Sequence, residues 1–511
     1  MENTDASGQN SASSSDDPPL AQGHLPDESQ QTFGGFTIQS DNVVLADKRN
    51  RLAAEVSAME NKKEQLQEKL LRRRRSDDTG LKTCAIGSIK FLPMEELCGI
   101  CEIHILGKVL GDNDLKALHT SKKLTRIRNS KYRGVCDVQL LADLKQLQEV
   151  HLEVDGEIRN MTSLSRLPEL RKVLLSNPNI YDSDMHCLGL LQNLEELSLR
   201  NCYRVTSCQR ISQLPLLRVL DISFTRVTNE ELTGLSASRS LVKVVLLNCR
   251  RLTDVSPLAS IRTLEEVYLS GSEGVRSFGA LGRLPVLRLL DFGCTAITDE
   301  ELRCLSGSRS LVKVVLRHCR YLTDVSPLAS VETLEEVDLS GCEGVRTVGA
   351  LGRLPVLRVL DLGSAAITYG ELQGLSASCS LVKIVLQHCR YLTDVSPLAS
   401  IETLEEVYLF GSERVKIVGA LGRLPVLRVL DLGSAAITDW ELQRLSASRS
   451  LVKIVLQHCR YLTDVSPLAS IRTLEEVYLS GCERVRSFGA LGTAGTLQMC
   501  LLSHPLRHWK R

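Results

Sequence analysis

From Leu241 onward the chain alternates short apolar blocks with polar turns, and the blocks share one form, LxxΦxΦ, where Φ is apolar. LVKVVL, LEEVYL and LRLLDF open at Leu241, Leu264 and Leu287. Their centres alternate with period two, as a short strand does when one face is buried. The segment after each block is also readable. In the first kind, Ser256-Pro257 has the form of a cap residue followed by a proline at the first helical position. Ser326-Pro327, Ser396-Pro397 and Ser466-Pro467 repeat it. In the third kind, Thr298 and Glu301 have capping-box spacing, as do Thr228/Glu231, Thr368/Glu371 and Thr438/Glu441. The pattern predicts a strand, a turn and a short helical return in every unit.

The units recur at two scales. LTDVSPLAS begins at Leu252, Leu322, Leu392 and Leu462, 70 residues apart, and LGRLPVLR begins at Leu281, Leu351 and Leu421. Each 70-residue copy divides into units of 23, 23 and 24 residues. The same register runs upstream through Leu217, Leu194, Leu170, Leu147, Leu124 and Ile100, and downstream to Leu497, giving 18 starts. A repeat of this length opening with LxxΦxΦ is the leucine-rich-repeat signature. The fold class is therefore α/β: a leucine-rich-repeat solenoid, with a curved parallel sheet on the concave side and short helices or 3-10 turns on the convex side. No unit can bury its apolar edge alone, so stability must come from neighbour interfaces. The solenoid is expected over residues 100–496, as 17 repeats, with a truncated last repeat and tail over 497–511. GTAGTLQMC replaces GRLPVLR there, which predicts an under-protected end near Leu497 to Leu502.

Residues 1–41 are polar and read as a disordered tail. Over 42–75, Leu45, Leu52, Val56, Met59, Leu66 and Leu70 follow a mostly three-four spacing, predicting an amphipathic helix. It reads either as a coiled coil that pairs two copies or as a lone helix capping the solenoid, and Lys63 on its apolar seam weakens the coiled coil. Residues 76–99 form a linker and N-terminal cap. The run Arg72, Arg73, Arg74, Arg75 reads either as a nuclear-localisation signal or as a solvated helix C-terminus.

Composition narrows the function. Lys plus Arg number 62 and Asp plus Glu 61, a balance that argues against a general nucleic-acid binder. Aromatic residues make up only 4%, leaving Leu, Val and Ile to fill the core. There is no apolar run long enough for a membrane helix, and the polar, acidic start lacks the form of a secretory signal. With 17 cysteines, that start predicts a reducing, intracellular setting, cytoplasmic or nuclear. Cys249, Cys319, Cys389, Cys459, Cys342 and Cys482 fall nine positions into their units, a slot for an inward side chain that meets backbone groups. Cys98 and Cys101, with Cys84 and His104, lack a second ligand pair for zinc. His318, His388 and His458 lie three strands apart, about 14 Å, too far to share one metal ion. No nucleotide-binding, hydrolase or metalloprotease motif occurs, and the polar residues recur every 70 positions. The reading is of a non-enzyme without a cofactor.

Function then falls to the concave face, whose solvent-facing positions follow from the alternation. They are Lys243, Lys313, Lys383 and Lys453 in the first kind of unit, and Glu265/Glu266, Glu335/Glu336, Glu405/Glu406 and Glu475/Glu476 in the second. In the third they are Arg288/Asp291, Arg358/Asp361 and Arg428/Asp431. Neighbouring charges of opposite sign should pair along the sheet and disfavour a phosphate backbone as ligand. Tyr268, Tyr408, Tyr478 and Phe410 rise above this ladder, and Asp338 interrupts the tyrosine series. These aromatics are either binding anchors or cross-strand packing neighbours. A protein partner bound on this face is the expected function.

LVKVVLRHCRYLTDVSPLAS, LEEVDLSGCEGVRTVGALGRLP and LRVLDLGSAAIT resemble the trypanosome leucine-rich-repeat proteins linked to variant-surface-glycoprotein expression sites, over roughly residues 190–500. That family includes a candidate adenylate cyclase regulatory protein. The resemblance implies an intracellular regulatory or interaction role. Members can carry a RING-like zinc finger, but Cys84, Cys98 and Cys101 cannot supply its eight ligands, so ubiquitin-ligase chemistry is not carried over. The alternatives left open are a regulatory or recruiting subunit of an enzyme, a cyclase or a ubiquitin ligase, and a nucleic-acid-associated factor using Arg72 to Arg75.

Overall fold

A computed structural model describes residues 83–86, 101–106, 123–132, 135–486 and 498–500. The expected tail over 1–41, the helix over 42–75 with Arg72 to Arg75, and Cys98 lie outside the described residues.

Among the described residues one sheet carries 19 strands, and every pairing in it is parallel between successive strands. A strand stands in each of the 18 predicted units, from Glu102–Leu106 to Gln498–Cys500. One more, Thr83–Ile86, precedes them and pairs with Glu102–Leu106. Strands in the 70-residue copies are three residues long, such as Lys243–Val245, Glu266–Tyr268 and Leu289–Asp291. The divergent N-terminal units have longer ones, Arg126–Tyr132 and Glu149–Val154. Within the 70-residue copies the register is constant: Lys243 faces Glu266, Val244 faces Val267, and Val245 faces Tyr268.

The LxxΦxΦ positions point inward as the alternation demands. Leu241, Val244 and Leu246 are wholly buried, as are their counterparts Leu311, Val314 and Leu316. They join one continuous core running from Ile103 to Leu479. Phe278 and Phe292 stack within it, ring centres 4.7 Å apart.

In the first- and third-kind units of the 70-residue copies the eighth position is left-handed, at Asn248, Cys294, His318, Ser364, His388, Ser434 and His458. Second-kind units place glycine there, as at Gly341 with φ 75°. A side chain at Gly341 would collide with the His318 ring of the preceding strand. The glycine is thus required both by φ and by the approach of its neighbour.

The ninth-position thiols satisfy carbonyls exposed by the turn. Cys249 donates to the Ile222 carbonyl at 3.3 Å, Cys319 to Phe292 at 3.1 Å and Cys342 to Leu316 at 2.9 Å. Ser272 and Ser412 do the same in two copies, donating to Leu246 at 2.7 Å and Leu386 at 2.6 Å. Burial pushes Cys249 to about 11 and Cys389 to about 12, so these two thiols stay protonated at physiological pH.

The returns differ in two details from the capping pattern read in the sequence. Ser256 lies inside its 3-10 turn, Ser256–Ser260; Val255 holds the N-cap position, and Asp254 before it supplies the acceptor. The Asp254 carboxylate accepts from the Ser256 amide at 2.8 Å and its hydroxyl at 2.9 Å. Thr298, Thr368 and Thr438 do hold the N-cap positions of Asp299–Arg303, Tyr369–Leu375 and Asp439–Leu445, but without a side-chain cap bond. The glutamates that should complete the box reach to the preceding unit instead. Glu441 accepts from the Val418 and Gly419 amides at 2.7 and 2.6 Å, and Glu371 from Val348 and Gly349 at 2.6 and 2.9 Å. Stacking leaves those amides, at the start of a 3-10 turn, facing the next helix, so they outcompete the local bond.

Candidate functional site

The concave face is built from the solvent-facing strand positions, and its chemistry runs laterally. The first residues of successive strands form one row: Lys243, Glu266, Leu289, Lys313, Glu336, Val359, Lys383, Glu406, Val429, Lys453, Glu476. Each lysine pairs with the glutamate of the following strand, at 2.8 Å for Lys243–Glu266, 2.6 Å for Lys313–Glu336, 3.1 Å for Lys383–Glu406 and 2.9 Å for Lys453–Glu476. Each such exposed pair contributes about 0–1 kcal/mol. Their consequence is local neutrality.

The tyrosines are tied into these pairs. Tyr268, Tyr408 and Tyr478 donate to Glu266, Glu406 and Glu476 at 3.0, 3.1 and 3.1 Å. The lysine of the preceding strand lies over each ring, 4.5 Å from its centre at Tyr268, 4.7 Å at Tyr408 and 4.8 Å at Tyr478. Lys, Glu and Tyr thus form one cluster, repeated every three strands except in residues 311–380. Burial and then the Glu266 hydrogen bond raise the Tyr268 pKa. Hydrogen bonds from Lys453 and Tyr478 lower that of Glu476. Tyr268 is therefore neutral and Glu476 charged at physiological pH.

Asp338 replaces the tyrosine in the remaining copy, and Arg317 comes with it. The Arg317 guanidinium pairs with Asp338 at 2.5 Å, and this bond raises the arginine pKa. The equivalents of Arg317 are Leu247, Gln387 and Gln457. Arg317 was not singled out from the sequence, although the joint change at the two positions could have revealed it.

The other predicted residues have partly structural surroundings. Asp291, Asp361 and Asp431 each accept at 2.9 Å from the amide two residues on, at Gly293, Gly363 and Gly433, which turns the chain out of the strand. Phe410 is half-buried beside Gly433, where a Cβ would come within 2.5 Å of its ring. Its other neighbour is His388, edge-on at 5.7 Å.

The divergent N-terminal strands carry a different set. His104, Arg128 and His151 are lateral neighbours. Arg126 and Arg128 each bridge Glu102 and Glu149 at 3.3–3.5 Å. Burial, then the Arg128 charge, lowers the pKa of both histidines. Beside them a depression of about 400 Å³ is lined by His151, Leu174, Val219, Asp221 and Val245. This depression carries no signal in the repeat pattern, because no 70-residue copy repeats it. Among the described residues no group of three or more His, Cys, Asp or Glu is placed to hold a metal ion. No described helix is long and apolar enough to cross a membrane.

One-strand units on a common parallel sheet, with a small inward Cys, Ser, Thr or Ala at the turns of the 70-residue copies, define a leucine-rich-repeat solenoid. Its fold is similar to the crystal structure of the mouse RP105/MD-1 complex, with TM-score 0.57 and 17% identity, over 82% of this chain and 75% of that one. A leucine-rich-repeat protein of Leptospira interrogans also matches, with TM-score 0.47 and 18% identity over 75% of this chain and 97% of its own. In sequence, the chain is similar to a Trypanosoma equiperdum protein described as a candidate adenylate cyclase regulatory protein, 27% identical over 146 residues. That match spans 28% of this chain and 23% of the relative's length. No protein-family model matches.

Proposed function

We propose that the chain is a non-catalytic interaction scaffold that binds a protein partner across its concave face. The observation that carries this reading is the Lys–Glu–Tyr cluster, present three times at a fixed pitch. Each cluster holds a large amphipathic ring in one orientation before any partner arrives, which lowers the entropic cost of binding. Local charge pairing removes a strong field of either sign and so favours a protein surface over a phosphate backbone. The test is quantitative affinity capture with the full chain against a variant carrying Tyr268→Ser, Tyr408→Ser and Tyr478→Ser, with Trp440→Ser as a control away from this face. A partner depleted by the triple variant and retained by the control is expected. Equal recovery of every captured protein from both would overturn the reading.

A second reading is a regulatory subunit of an enzyme, and the description of the Trypanosoma equiperdum relative favours it. It uses the same surface and differs in the partner. A cyclase or ubiquitin-ligase component lost with the triple variant would select it.

A further inference from the structure

We propose that copies of this chain stack rim to rim, each seating a row of tyrosines in valine-lined grooves on the next copy. This goes beyond the concave-face reading and is independent of it, because such a stack leaves that face open.

A parallel sheet has two unlike rims, one where its strands begin and one where they end. On the rim beyond the strand ends stand Tyr321, Tyr391 and Tyr461, which are 63, 59 and 57% exposed. Each follows an exposed arginine, Arg320, Arg390 or Arg460. On the opposite rim lie two grooves of about 590 and 620 Å³. The first is floored by Val286, Val312 and Val356 and edged by Glu265, Glu332 and Glu335. The second is floored by Val356, Val382 and Val426 and edged by Glu335, Glu402 and Glu405. They share Glu335 and Val356, so they form one trough with two seats. Val286, Val356 and Val426 are about two-fifths exposed, an apolar row that the described residues leave uncovered.

Two properties select a second copy as the occupant. The first is pitch. The tyrosines recur every three strands, and so do the seats, about 14 Å on either rim. Both rims belong to one sheet, so any curvature that alters one pitch alters the other alike in a copy displaced along the strand direction. A partner without this repeat has no reason to match several seats at once. The second is charge. The tyrosine rim presents Arg320, Arg390 and Arg460, while glutamates border the seats. The ion pairs among the described residues of these copies engage other side chains, leaving these charges available. Arg288, Arg309 and Arg358 also line the trough, so its field is mixed. The phenol and the apolar floor then supply the contact that charge alone does not.

The two rims are different surfaces, so the contact is heterologous and each copy can add another: an open stack. The test is sedimentation velocity of the full chain over a range of concentrations. The unmodified chain should gain mass with concentration and continue past a dimer. A rim variant, Arg320→Glu/Arg390→Glu/Arg460→Glu, should lose this growth. So should a groove variant, Glu332→Arg/Glu335→Arg/Glu402→Arg/Glu405→Arg. Circular dichroism checks that each is folded. An equimolar mixture restores opposite charges at every contact and should regain growth. Tyr321→Ser/Tyr391→Ser/Tyr461→Ser should lose it irrespective of charge. An unmodified chain of one fixed size at all concentrations would overturn the proposal, as would a mixture that fails to regain growth. Pairing through residues 42–75 would give such a fixed size and would persist in every variant. A different protein held by the groove while the chain itself does not grow would equally reject self-stacking.

Discussion

At the scale of the residue, the histidines of the divergent strands are the pH-sensitive points. His104 and His151 are held below 6.5 by burial and then by Arg128, and they return to about that value when the chain unfolds. The unfolded chain therefore binds more protons on acidification. Stability from these groups is complete above about pH 6.5 and is lost as pH falls through the lowered folded values. Amide protection over residues 135–154, corrected for the intrinsic exchange rate, should fall as pH drops below about 6.5, while protection over 381–450 changes less. His151→Gln should flatten that dependence. An unchanged pH profile in the variant would assign the effect to other groups. The Arg317–Asp338 pair is a residue-scale matter too, since one exchange, Tyr to Asp, is matched by a charge arriving on the preceding strand.

Between elements, the strongest ties are carboxylates that cross from one unit to the next. Glu441 is 6% exposed and accepts two amides of the preceding 3-10 turn. Removing it leaves those amides buried without an acceptor, a loss of about 1–3 kcal/mol. Glu441→Ala should lower the denaturant midpoint accordingly, with Glu371→Ala behaving alike. A variant as stable as the parent would show that water replaces the carboxylate without loss. Asp299 and Asp439 make similar links, accepting from the Thr323 and Thr463 amides at 2.8 and 2.9 Å. Because these links join particular kinds of unit, the order first, second, third is itself structural.

For the whole molecule this order predicts which deletions are tolerated. Removing residues 311–380 joins Ser310 to Leu381 and restores every kind of neighbour contact. The shortened chain should keep its circular dichroism per residue and unfold cooperatively, as a quasi-one-dimensional array does. Removing only 311–333 places a second-kind unit after a third-kind one, and Asp299 loses Thr323. That chain should unfold at clearly lower denaturant. Equal stability of the two would mean that unit order is unimportant. The same periodicity gives the rims their common pitch, so the stack and the tolerance of whole-copy deletion have one origin.

The repeat, the strand positions, the inward leucines and the inward thiols were all legible in the chain. They depend on period and polarity, which are local: Val244 faces the core because its neighbours alternate, and Cys249 sits at a turn because of its place in the unit. The candidate face was legible only as a row of side chains. The depression beside His151, the joining of Arg317 to Asp338 and the trough along Val286, Val356 and Val426 were not. Each brings together residues about twenty or more positions apart, at distances fixed by lateral stacking. So does the capture of Glu441 by the unit before it. Periodicity along the chain therefore determined which side each residue takes. Only the packing of one unit on the next decided which residues meet, because unpaired amides and uncovered charges find partners across the stack as well as along the chain.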